Sequence, residues 1–66
     1  MHWNDIEKIA SELEDVYCEE EIPEYNLSYL EEMVLSLSNF EDREVEVEES
    51  TLKRILEYWL DIRSGN

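Results

Sequence analysis

The chain has one cysteine, one glycine, one proline and one histidine among its 66 residues, and only five lysines and arginines. Each scarcity closes a route. Cys18 has no second cysteine to bridge to, and with His2 it falls short of the roughly four Cys or His ligands that a structural zinc site needs. The single glycine, Gly65, excludes a P-loop or a dinucleotide fingerprint, both of which need several glycines so that backbone amides can approach phosphate. No apolar run nears the roughly 20 residues of a membrane span. Met1-His2-Trp3 leads into polar sequence instead of an apolar signal core, so a cytoplasmic protein is expected.

Nineteen aspartates and glutamates give a formal charge of -14. Such a surface repels phosphates and anionic lipid, attracts basic protein grooves and hard cations, and opposes self-association. The expectation is a monomer that binds neither nucleic acid nor membrane. Hydrophobic residues still make up 42% and aromatics 11%, enough for a single small domain spanning 1–66.

The helix that anchors the fold is predicted over 52–62. Leu52, Ile55, Leu56, Trp59 and Ile62 share one face, opposite Lys53, Arg54, Glu57 and Asp61. Asn4 and Glu7 form a capping box for a first helix ending near Tyr17, with Ile6, Ile9, Ala10, Leu13 and Tyr17 as its stripe and Val16 at the margin. Ser28 and Glu31 form a second box, followed by Leu30, Met33, Val34 and Leu37, to about Ser38. Leu35 points away from that stripe, and Phe40 is expected to plug the turn after it. Pro23 biases Ile22 to extended geometry, after which Tyr25 and Leu27 alternate with polar neighbours. Residues 44–48 alternate strictly between glutamate and valine, with Val45 and Val47 facing inward. These two short segments predict a two-stranded β ribbon beside three helices, in a mainly α fold. Residues 63–66 read as a polar tail.

At about 100° per residue, Asp5, Glu12, Asp15 and Glu19 fall on one outward ridge of the first helix, interrupted by Lys8. Glu12, Asp15 and Glu19 have the i, i+3, i+7 spacing that lets carboxylates share a hard cation, in an open and water-rich site. The bland alternative is a solvated face. Cys18 lies off the apolar stripe, and the one histidine that would activate it is placed in a frayed terminus, so no Cys-His nucleophile is expected. Nor do exposed acids in a fold this small supply the enclosed carboxyl of raised pKa that acid-base catalysis needs. The chain is not expected to be an enzyme.

Trp3-x-Asp5, Ile9, Leu13, Tyr17, Leu30, Leu37, Phe40-Glu41-Asp42, Glu49-x-x-Leu52, Ile55 and Trp59-Leu60-Asp61, in fixed order, resemble the signature of the IscX family of small acidic proteins that accompany bacterial iron-sulfur cluster assembly. The likeness implies a modified winged-helix fold. It also implies an adaptor whose acidic surface docks in the basic groove of a cysteine desulfurase, overlapping the site of a frataxin-like protein, and weak binding of iron by exposed carboxylates. Asp5, Asp15, Glu41, Asp42 and Asp61 keep the family's acidic character and are the residues expected to face the partner. Departures are Arg43 and Glu44 after the acidic turn, Cys18 where proline is common, and Lys8, Ser11 and Tyr29 at positions often acidic. Two alternatives accompany the adaptor: an iron carrier that donates metal to the machinery, and an acidic winged helix that mimics DNA. Direct DNA binding is disfavoured, because Lys53 and Arg54 of the third helix are offset by Glu57 and Asp61.

Overall fold

Trp59 is closed to solvent and lies in one core with Ile9, Ala10, Leu13, Leu30, Val34 and Ile55, all equally buried. The computed structural model describes residues 1–65, in which three helices build this core: α1 (Ile6–Val16), α2 (Leu27–Leu35) and α3 (Glu49–Ser64). Both shorter helices pack on α3, α1 the more extensively. The apolar stripes of the sequence supply the contacts. Ile6, Ile9, Ala10 and Leu13 of α1 are buried, as are Leu30, Met33 and Val34 of α2 and Leu52, Ile55, Leu56 and Trp59 of α3. Tyr17 and Ile62 are half-buried at the edge of the core, and Val16 is exposed, as its marginal position predicts. Leu35 differs from expectation, since it packs partly buried against the core.

The predicted β ribbon is not formed. Among the described residues there is no strand, so the winged-helix expectation is overturned while the mainly α class holds. One half of the ribbon is lost to α2, which starts earlier than the Ser28 capping box suggests. The Asn26 carboxamide oxygen accepts the Tyr29 amide at 3.0 Å, capping the helix and drawing Leu27 into its first turn. Tyr25 is left in a turn, fully exposed. Without a neighbouring strand, residues 44–48 must satisfy their backbone groups elsewhere. The Val45 amide donates to the Asp42 carbonyl at 3.1 Å, and the Val45 carbonyl accepts the Trp3 indole N–H at 3.1 Å. Val47 packs against the core, as expected, but Val45 faces solvent.

Helix ends also shift. Asp5, not Asn4, occupies the N-cap of α1, and its carboxylate turns back to accept the His2 amide at 3.1 Å. α3 extends the predicted helix at both ends, starting at Glu49 and running through Arg63 and Ser64, so those two residues are not a tail. It stops at Gly65, whose φ of 84° is the left-handed conformation that ends helices and that only glycine adopts without strain. The remaining predicted tail residue, Asn66, lies outside the described residues.

Candidate functional site

The acidic residues that the sequence offers as a working surface fall into two physical groups. Asp15, Glu19 and Asp61 are exposed, and Glu12 is half-buried on α1. None of these four side chains has an ion-pair partner among the described residues, so their charge stands open to a partner. Asp5, Glu41 and Asp42 are instead bonded to the first residues of the chain, Glu41 while remaining exposed. Asp42 accepts from the Trp3 amide at 3.1 Å through one oxygen and contacts His2 Nδ1 at 2.8 Å through the other. Glu41 approaches His2 Nε2 at 2.9 Å and the Met1 amino group at 3.5 Å, while its backbone amide donates to the Met1 carbonyl at 2.8 Å. The terminus is therefore not frayed. Trp3 is buried and meets Phe40 edge to face, with ring centroids 4.6 Å apart, so Phe40 does close the core beneath the acidic turn.

Because both ring nitrogens of His2 face carboxylate oxygens, both bonds form only when the imidazole is protonated. The hydrogen bond to Asp42, aided by the charge of Asp42 and then of Glu41, raises the His2 pKa. The same bond, reinforced by the Trp3 amide, lowers that of Asp42. The raised histidine stabilises the fold fully below the ordinary imidazole value of about 6.5 and loses that contribution as pH rises through its folded value. The depressed aspartate contributes above about 3.9 and loses its share as pH falls through its own folded value. The difference in Tm between the native chain and a His2→Gln variant is therefore expected to peak near about pH 5 and to shrink on both sides. A pH-independent difference would show that the contact carries no ionic component.

A second node ties α1 to α3. Glu14 Oε1 accepts from Trp59 Nε1 at 2.9 Å and from Arg63 Nε at 2.9 Å, chiefly the former holding its carboxyl below the ordinary glutamate value. The Arg63 guanidinium lies 5.3 Å from the centre of the Trp59 ring and donates to the carbonyls of Tyr17, at 2.7 Å, and Glu20. Thus one side chain of α3 satisfies the C-terminal carbonyls of α1 and the turn after it. Tyr17 adds a hydroxyl contact to Ser36 Oγ at 2.6 Å, which links α1 to the end of α2. One signal in the sequence marks Glu14: it lies four residues after Ala10 and three before Tyr17, at the edge of the buried stripe.

Iron is the one metal that the family resemblance implies. α1 ends at Val16, so Glu19 sits in the following turn and leaves the helical register that would align it with Glu12 and Asp15. Among the described residues no three His, Cys, Asp or Glu side chains are arranged to hold a metal ion. The donors present do not fit a resident metal centre. Cys18 is exposed and forms no disulfide, and no helix among the described residues is long and apolar enough to cross a membrane.

Comparison with curated proteins and with solved structures gives no significant match. The family model described as iron-sulphur cluster assembly, however, matches residues 1–64. That span takes in all three helices, the Trp3 and Phe40 contact and the Glu14, Trp59 and Arg63 node. The chain belongs to the iron-sulphur cluster assembly family.

Proposed function

We propose that this protein is an IscX-type adaptor of iron-sulfur cluster assembly, which binds a cysteine desulfurase through its acidic surface and modulates it without performing chemistry itself. One observation carries the reading: a family member with a formal charge of -14 leaves most of its carboxylates free of internal ion pairs. Only Glu14, Glu41 and Asp42 have such pairs among the described residues. Free charge of one sign steers encounter with a basic surface and fixes the orientation of docking. Asp15 and Asp61 are the residues assigned to that contact. Asp5, Glu41 and Asp42 are held instead against Met1, His2 and Trp3 at the start of the chain. Iron has no three-ligand site among the described residues, so charge alone is assigned the adaptor role.

The test is binding of the full chain to purified cysteine desulfurase at two ionic strengths. Charge steering decays over a Debye length of about 8 Å at physiological ionic strength and about 3 Å at 1 M. Raising salt from about 0.05 M to 0.5 M is expected to weaken the complex at least about tenfold, mostly through a slower association rate. An affinity unchanged across that range, or no binding at low salt, would end the proposal.

A further inference from the structure

Tyr25 is wholly exposed, although its neighbours Ile22 and Leu27 pack partly buried against the core. It stands between two adjoining surface depressions that share Glu24 and Tyr25 and run along α3. Their apolar floor is made by Ile22, Leu27, Leu56 and Leu60. The rim is acidic: Glu21, Glu24, Glu49 and Glu57 surround the floor. Of the two cations present, Arg63 is engaged with Glu14 and the Tyr17 and Glu20 carbonyls, which leaves Lys53 against four carboxylates. An exposed aromatic beside an apolar floor, with a rim in which carboxylates outnumber cations, has the anatomy of a protein-binding hot spot.

From this arrangement we infer that the trough beside Tyr25 is a docking site for a basic segment of a partner protein. The segment presents one bulky apolar side chain to the floor and flanks it with lysine or arginine that meets the glutamate rim. The aromatic ring supplies contact area with few rotatable bonds, and the carboxylates select against acidic or neutral competitors. This deepens the adaptor reading and rests on it where the partner is taken to be a cysteine desulfurase. Charge on the rest of the surface accelerates encounter, whereas the trough determines how long the complex lasts.

The test uses two probes on the full chain. With purified cysteine desulfurase, Tyr25→Ala is expected to weaken binding about tenfold or more, chiefly by faster dissociation, with Tm and salt dependence unchanged. Glu57→Lys should reduce both affinity and salt dependence. A second probe, a synthetic peptide of leucine and lysine, separates the trough from the identity of the partner. Its amide shift changes should centre on Tyr25, Leu27 and Leu60 and weaken in Tyr25→Ala. If the native chain fails to bind the desulfurase while the peptide still maps to the trough, the adaptor reading falls and the docking site stands. Shifts centred on the Glu12 and Asp15 face of α1, or a Tyr25→Ala variant that binds both probes as tightly as the native chain, would overturn the inference. So would a concentration-dependent dimer, or binding to neutral phosphatidylcholine vesicles, that Tyr25→Ala abolishes, since the occupant would then be a second copy or a lipid.

Discussion

Trp59→Ala is expected to leave the chain largely unfolded at room temperature. Truncating a fully buried tryptophan costs about 3–5 kcal/mol through lost transfer energy and the cavity left behind. At about 0.05–0.15 kcal/mol per residue, a domain of this size holds only about 3–10 kcal/mol in total. Nor can the site collapse cheaply, because Ile9, Leu13, Leu30, Val34 and Ile55 of the same core belong to three different helices. The substitution also removes the indole donor to Glu14. Far-UV circular dichroism and urea titration measure the outcome, and Trp3 remains as a fluorescent reporter. Trp59→Phe, which refills most of the volume, should recover a folded chain of lower stability. A urea midpoint for Trp59→Ala close to that of the native chain would show that the core is not organised on this residue.

Arg63 gives the second large effect, and for a different reason. Its guanidinium meets Glu14, the carbonyls of Tyr17 and Glu20, and the face of Trp59, so several bonds depend on a single planar group. Arg63→Met keeps the aliphatic stem and removes all of the polar contacts, leaving the half-buried Glu14 with the indole as its one donor. A fall in Tm of about 10–20 °C is expected, from hydrogen bonds to charged groups in a domain where each kcal/mol moves Tm by about 4–8 °C. Arg63→Lys should recover only a small part of it. A single ammonium cannot reproduce the fork that reaches the carboxylate and both carbonyls together. Thermal melts of the two variants decide the matter, and an Arg63→Met protein that melts with the native chain would reduce the node to surface decoration.

The three helices were legible because their stripes are periodic and their core positions are large. Ile9, Leu13, Leu30, Ile55 and Trp59 each recur at helical spacing, and each is closed to solvent. The expected ribbon does not form, for a physical reason. Alternation in Glu44 to Glu48 states that one face of the chain is apolar, but only a neighbouring strand turns an extended segment into sheet, and Asn26 had committed that neighbour to α2. Both N-caps fall one or two residues from the predicted Asn4 and Ser28, since nearby Asn, Asp and Ser compete for one position on nearly equal terms. At the surface, composition disclosed the sign and quantity of charge. It could not separate the open carboxylates, Asp15 and Asp61, from Asp42, which the fold ties to His2 and Trp3 across some forty residues of sequence. Arg63 is hidden for the same cause, because its hydrogen-bond partners lie on α1 and in the turn that follows it, more than forty residues earlier in the chain.

The dominance of the α1 and α3 contact has a kinetic side. Those helices are the first and last elements of the chain, so their shared face exists only after residues 17–48 have been closed into a loop. Loop-closure entropy grows slowly with length, but it opposes folding before any of the rewarding contacts are made. For all its helical content, the domain assembles through a long-range encounter between its two ends, and neither end helix gains its principal packing until the other has arrived.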